Sequence, residues 1–352
     1  MITFAELTEH PERLTDGMRS PMLHADGTMT LLWEGMPPAG PLYYQGEWMA
    51  QPAPLTYLEE CDIWGADFTA PPLPPTVCSW LRVGEDATFL HTSRPSWRHQ
   101  AELRGPALPP LPEPGMARSS LFAEVRLPTP HLATATRRLR LFAPGATYRD
   151  ALYVLDGERF AGPTLDFPAA TDALGQLGAA RPTLIVAVDG GGANRAVEFL
   201  RTGALNAAAR AWFTGALVPY IAETYGAQRH WLMGASYEAA FALQLLLAPA
   251  SRFAGGICCS AWHAGGYGEI VTLAEQWSGD GRIFLSHGDF GFGESANLAH
   301  ARALTEILRR RGQGVRYHEA PGNGHIHASW SRIVPLGLRW LFADVATGGS
   351  VE

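Results

Sequence analysis

Three residues that could share one chemistry each follow a hydrophobic run in the second half of the chain: Ser236 after HWLMGA, Asp289 after RIFLSHG, and His325 after VRYHEAPGNG. In that order, at the carboxyl ends of strands, they are suited to be nucleophile, acid and base. A serine hydroxyl is a weak nucleophile near neutral pH. An imidazole must therefore take its proton, and a carboxylate must hold that imidazole in the right tautomer. The oxyanion that forms needs two donors. One is the backbone N–H of Tyr237, at a helix start where the macrodipole favours negative charge. The other must come from a loop after an earlier strand, and LDGERF (155–160) and VDGGGANR (188–195) both qualify. Singly, each residue has an ordinary alternative as a helix N-cap, a turn residue or a loop histidine. Their conjunction outweighs those alternatives.

The serine turn departs from G-x-S-x-G, because Glu238 stands where the pattern has its second glycine and Ala239 follows it. Glycines there let a helix lie close to its strand. A buried, unpaired carboxylate would cost several kcal/mol, so Glu238 is expected to pair with an arginine, Arg195 being the natural candidate.

These residues require strands to present them, and the sequence supplies them. From about residue 118 onward, apolar runs such as DALYVLDG, PTLIVAVDG, HWLMGAS, GGICCSAW and RIFLSHGD alternate with alanine-rich helical stretches such as AAARAWFTGALVPYIAETYG and SANLAHARALTEILRRRG. Continuous apolar strands alternating with helices imply a mostly parallel sheet covered on both faces. The first part differs, with short alternating segments (GTMTLLWEG, PLYYQGEW, TVCSWLRVG) broken by prolines, as in a small all-β sandwich. Between them, GPALPPLPEPGMA (105–117) reads as an extended linker. The expected organisation is a β-sandwich over 1–117 and an α/β domain over 118–352.

Composition excludes several other functions. All 27 basic residues are arginine, so P-loop, pyridoxal and Schiff-base chemistry, which need a lysine, are ruled out. A net charge of −7 with dispersed arginines argues against nucleic acid as a partner. The four cysteines lack metal-ligand spacing, and Cys258 and Cys259 sit in an apolar run as buried thiols. No metal or other cofactor is expected. The N-terminus lacks a signal-peptide pattern and no apolar run approaches a membrane span. The expectation is a cytoplasmic protein without membrane association.

The α/β half resembles the enterochelin (enterobactin) esterases, the ferric siderophore esterases of α/β-hydrolase fold. The resemblance rests on LDGE after a long strand, NRAVE with Arg195 and Glu198, the serine turn with Arg252-Phe253 downstream, and GHIHASW, in which His325 precedes Trp330 by five residues. It covers most of residues 138–342. GTMTLLWEG, YYQGEW and CDIWGADFTAPPLPPTVCSWLRV are similar to the sandwich that precedes the hydrolase domain in those enzymes. The resemblance implies that Glu158 supplies the second oxyanion N–H, and that His325 rather than His327 is the base, His327 being a polar residue of the following turn. For the acid, Asp289 is preferred because it follows the strand-end Gly288, with Glu294 as the alternative.

A ferric tris-catecholate is anionic, and Arg195 would bind its oxygens and stack on its rings. The equal alternative is a salt bridge to Glu198 or Glu238. Trp262, His263 and Trp330 would form aromatic walls. The expected activity is a serine esterase opening an enterobactin-like trilactone to release iron. The alternatives are an esterase of acyl or feruloyl carbohydrate esters and a binding protein in which the altered turn no longer works.

Overall fold

The computed structural model describes residues 3–343 outside 14–21, 25, 27, 35–41, 47–48, 50–52, 62, 70–77, 85–96, 105–121, 145, 162–170, 172–173, 176–177, 264 and 313. The chain divides into two compact units. One comprises Met1–Pro109 with Asp289–Ser295 and Pro321–Ile326, and the other Pro110–Gly288 with Ala296–Ala320 and His327–Glu352. The expected linker and the boundary at 117 lie outside the described residues.

Among its described residues, the first unit holds eight strands: β1 (Met22–Leu23), β2 (Thr28–Glu34), β3 (Tyr43–Gly46), β4 (Ala53–Pro54), β5 (Thr56–Leu58), β6 (Ile63–Thr69), β7 (Cys78–Gly84) and β8 (Trp97–Arg104). They form two four-stranded antiparallel sheets in the orders β1-β2-β6-β5 and β4-β3-β7-β8. Met29, Leu31 and Trp64 of the first sheet and Tyr44 of the second share one buried cluster, and Tyr44 stacks on Phe68 at 4.7 Å. Alternation along β2 and β6 points these side chains inward, which makes the pair of sheets a sandwich. A short helix α1 (Phe4–Glu9) is closed by a Thr3–Glu6 capping box, and the Asp67 carboxylate accepts from Phe4 N and Ala5 N at 2.8 Å each.

The second unit is built on an eight-stranded sheet. Its strands are β9 (Phe122–Pro128), β10 (Thr136–Phe142), β11 (Asp150–Leu155), β12 (Thr183–Val188), β13 (Arg229–Ala235), β14 (Gly255–Cys259), β15 (Arg282–Gly288) and β16 (Val315–Ala320). The order is β16-β15-β14-β13-β11-β12-β10-β9, with β11 to β16 parallel and β9 and β10 antiparallel at one edge. The α/β fold expected from the apolar runs is thus present. Every residue of β11, β12 and β14 is buried, because helices cover both faces. Side chains alternate between two cores. Tyr153, Leu155, Leu232, Cys258 and Leu285 enter one, and Leu152, Val154, Trp231, Met233, Ile257 and Phe284 enter the other.

Helices described in this unit include α2 (Gly157–Phe160), α3 (Arg195–Phe199), α4 (Asn206–Trp212), α5 (Val218–Tyr225), α6 (Tyr237–Leu246), α7 (Tyr267–Gln276), α8 (Gly291–Arg311) and α9 (His327–Phe342). The first turn of α8 belongs to the other unit. The long helix expected from AAARAWFTGALVPYIAETYG forms with a π-helical turn, Phe213–Leu217, between α4 and α5. Pro219 follows that turn, and its missing N–H and its ring disturb the i→i−4 ladder there.

The chain leaves β11 for β12 on one side and then for β13 on the other. Order reverses at this point, and loops at the carboxyl ends diverge to open a crevice. The loop after β11 carries Asp156 to Phe160, and the turn after β13 carries Ser236.

Candidate active site

Ser236 lies between β13 and α6 with φ 59° and ψ −122°. That region is costly for a residue with a side chain, about 1–3 kcal/mol, and persists only when neighbours impose it. Here they do. Ser236 N–H donates to the Cys259 carbonyl at 3.0 Å, and its carbonyl accepts from Trp262 N at 3.1 Å and Ala240 N at 3.2 Å. A Cβ on Gly234 would lie 2.4 Å from the Glu238 carbonyl oxygen. Close approach of helix to strand therefore depends on Gly234, and Glu238 is accommodated without widening the turn.

Glu238 is fully buried, and Arg195 at the start of α3 grips it with both edges of a fork: Nε to Oε1 at 2.9 Å and Nη2 to Oε2 at 2.6 Å. The pairing expected from the sequence is present. Burial pushes the Glu238 carboxyl up to about 7, against the pull of Arg195. Burial works against the Arg195 charge, but Glu238 and Asp156 outweigh it and hold the guanidinium above its ordinary range. Of the two readings of Arg195, the salt bridge is the one observed, since Nε and Nη2 are committed to a carboxylate. Glu198 has other partners, forming a buried ion pair with Arg137 and accepting from Ala133 N at 3.0 Å.

The candidate oxyanion loop LDGERF turns at Asp156, a buried residue in the left-handed region (φ 55°, ψ 39°). Arg159 N and Phe160 N donate to its carbonyl at 3.0 and 3.2 Å, which closes the single turn of α2. Gly157 is required, because a Cβ there would fall 2.6 Å from the Ala187 backbone. Arg140 ties the turn down from β10, donating to the Gly157 carbonyl at 2.6 Å and the Ala161 carbonyl at 3.3 Å. The half-buried Glu158 carboxylate accepts from Gly190 N at 2.8 Å, so LDGERF meets the loop after β12, and the two oxyanion candidates are neighbours. Burial and the nearby Asp156 raise Glu158 above its ordinary value.

His327 corrects the sequence reading. It is not merely a polar residue of a turn: its Nε2 lies 2.8 Å from Asp156 Oδ2. The ring packs on Phe160 (centroids 5.1 Å apart) and edge-on against Trp330 (4.9 Å). Burial opposes ionisation of both partners. The His327 hydrogen bond and the Arg195 charge nevertheless hold Asp156 below its ordinary value, and burial keeps His327 below its own. The only clue in the sequence was the Asp-Gly after a strand, which does not name its partner.

In the other unit, His325 Nδ1 lies 3.1 Å from Oε1 of the fully buried Glu294, in the first turn of α8. The carboxylate on His325 is thus Glu294, and the preference for Asp289 is corrected. Asp289 Oδ1 instead accepts from Gly322 N at 2.7 Å and ties together the segments that follow β15 and β16.

Trp330 is also corrected. It is only 3% exposed, packs in the core beneath α9 and donates Nε1–H to Ser260 Oγ at 3.0 Å, so it has no open face for a substrate. Trp262 is half-buried beside the Ser236 turn, to which its N–H is bonded.

His263 is buried and packs on Tyr267, which stacks on His300 at 4.0 Å. Burial, with His300 and His287 nearby, pushes the imidazole down to about 4. The folded state thus favours neutral His263, and its contribution to stability is lost as pH falls from the ordinary 6.5 towards 4. The loss is about 3 kcal/mol at most. Thermal melting of wild type and His263→Gln between pH 7.5 and 4.5 checks this. The wild type should lose more stability over that window, and equal losses would refute the assignment.

Among the described residues, no helix is long and apolar enough to cross a membrane, and no group of three or more His, Cys, Asp or Glu could hold a metal ion. No family model and no curated protein matches the sequence.

Solved structures do match. The enterobactin esterase of Shigella flexneri, in the presence of enterobactin, aligns with a TM-score of 0.69 at 18% identity, over 89% of this chain and 92% of that one. The ferric enterobactin esterase of Salmonella typhimurium aligns with a TM-score of 0.67 at 17% identity, over 91% and 95%. A ferulic acid esterase aligns with a TM-score of 0.51 at 16% identity, over 63% of this chain and 97% of that one. The resemblance read from the motifs is met in the fold. The wide cover of the first two takes in antiparallel strands as well as the parallel sheet.

Proposed function

We propose that the chain is a serine esterase that hydrolyses the ester bonds of a siderophore, an enterobactin-like catecholate trilactone, and so frees its iron. The observation that carries the reading is the backbone of Ser236, held at φ 59° between an apolar strand and a helix. Strain of this kind collects where a reactive side chain must be presented. The His325–Glu294 pair, in the segments that follow β15 and β16, supports it: with Nδ1 facing a carboxylate, the imidazole keeps its lone pair on Nε2.

In the reaction, Ser236 Oγ bonds to the ester carbonyl carbon as its proton passes to His325 Nε2. The backbone N–H groups of Glu158 and Tyr237 hold the oxyanion. The bond to the alcohol oxygen then breaks, and His325 returns its proton to that oxygen. Water repeats both steps on the acyl-enzyme, releasing the acid and restoring Ser236. Trp262 is assigned to the wall against which substrate rings rest. The reaction uses no cofactor, and the substrate reading places it in the cytoplasm.

The choice of a siderophore is supported by the esterases solved with enterobactin and its products, whose likeness extends over both halves of the chain. A feruloyl ester is the second reading, favoured by the ferulic acid esterase neighbour. Hydrolysis of p-nitrophenyl butyrate, ferric enterobactin and methyl ferulate by the purified protein, followed by chromatography, separates these. Ferric enterobactin is expected to be cleaved with the highest kcat/KM. Preference for methyl ferulate would overturn the substrate, and no hydrolysis of any would leave a binding protein.

A further inference from the structure

We propose that His327 is a positioning residue for ester hydrolysis: by donating Nε2–H to Asp156 it fixes the α2 turn that aims the Glu158 N–H at the oxyanion. The inference rests on the esterase reading.

The geometry is specific. Asp156 holds a left-handed conformation that few residues with a side chain adopt, and no side-chain cap of its own helix secures it. Its Oδ2 meets His327, 171 residues further along the chain, at 2.8 Å, with Arg159 Nε of α2 more distant at 3.9 Å. The His327 ring is in turn clamped by Phe160 of the same turn and by Trp330 one helical turn on. Phe160 N and Arg159 N both bond to the Asp156 carbonyl, so the orientation of Asp156 sets the direction of the N–H groups that follow it. Arg140 spans the turn from Gly157 O to Ala161 O. The turn is thus held by two side chains from distant elements, His327 on Asp156 and Arg140 on the carbonyls that follow it.

Such support matters because an oxyanion donor acts only when held to within about half an ångström of the productive position. His327 lies in α9, which packs on the sheet through Ile333, Val334, Leu338 and Leu341, so it offers a rigid anchor. The role assigned to His327 is one of position: its Nε2 bonds Asp156, and its part is to hold another group.

His327→Gln and His327→Asn test the assignment, with p-nitrophenyl butyrate as substrate. Glutamine can place an N–H where Nε2 stands, whereas asparagine is too short to reach Asp156. We expect His327→Asn to lower kcat about tenfold or more with KM within twofold, and His327→Gln to recover most of the loss. Hydrogen exchange at the amides of 159–161 should quicken in the Asn variant and not in α6. A kcat that stays at the wild-type level in folded His327→Asn overturns the proposal, as does a Gln variant no better than Asn. An inactive wild type would overturn the esterase reading together with it, whereas an active wild type with indifferent variants overturns this inference alone.

Discussion

Replacing Ser236 by alanine is expected to lower kcat for p-nitrophenyl butyrate by about 10⁶-fold, leaving only what the oxyanion donors and binding supply. Glu294→Gln should cost about 10⁴-fold, because a neutral amide neither fixes the tautomer of His325 nor stabilises the imidazolium formed as Ser236 gives up its proton. Asp289→Asn should change kcat by less than about threefold, since an amide oxygen still accepts the Gly322 N–H that is its partner. The contrast between the two acid variants is the informative part. A loss at Asp289 equal to that at Glu294 would mean that the His325–Glu294 bond is not the one used in catalysis. Circular dichroism of each variant must match the wild type for the comparison to count, and Glu294, fully buried against His325, is the one for which this control matters most.

How much of this could be read beforehand depended on the range of the interaction. The parallel sheet was legible because strands buried on both faces must be apolar throughout, and β11, β12 and β14 are. The place of Ser236 between a strand and a helix was legible because a strand, a small-residue turn and a helix are contiguous in sequence. The pairing of Glu238 with Arg195 followed from the cost of a buried charge, which leaves few solutions.

The carboxylate on His325 was not legible. Asp289 and Glu294 lie close together in sequence, and the choice turns on where α8 begins. It starts at Gly291, before the segment expected from the sequence, and this puts Glu294 in its first turn while Asp289 remains at the strand end to bind Gly322. Trp330 failed for a related reason. An aromatic near a strand end can face a cleft or a core, and only the packing of α9 sends it inward to Ser260. The Asp156–His327 bond joins residues from opposite ends of the domain, and no local pattern records it.

The Arg195–Glu238 pair yields the largest expected effect on stability. Arg195→Met keeps much of the arginine's apolar stem but strips its partner of a counter-charge, and breaking a buried pair on one side typically costs about 3–5 kcal/mol. Partial exposure of the Arg195 side chain, 27%, places the expected loss near the lower end, at about 3 kcal/mol. The loss should depend on pH in a definite direction. In the wild type the folded-state value for Glu238 is already raised, from 4.5 to about 7. The protonated carboxyl therefore contributes its stability below 4.5, and that contribution fades as pH rises through 7. Without Arg195 the folded-state value rises further, so the fading extends to higher pH. The difference in unfolding free energy between wild type and Arg195→Met should accordingly be small near pH 5 and grow towards pH 8, as read from urea titrations at both values. A pH-independent difference would mean that the arginine stabilises α3 and α6 through packing alone. Replacing both residues, as Arg195→Met with Glu238→Gln, removes the stranded charge and should restore part of the stability lost by the single change. Catalysis in that double variant then reports whether the ion pair holds the Ser236 turn in its strained geometry or only fills the space beside it.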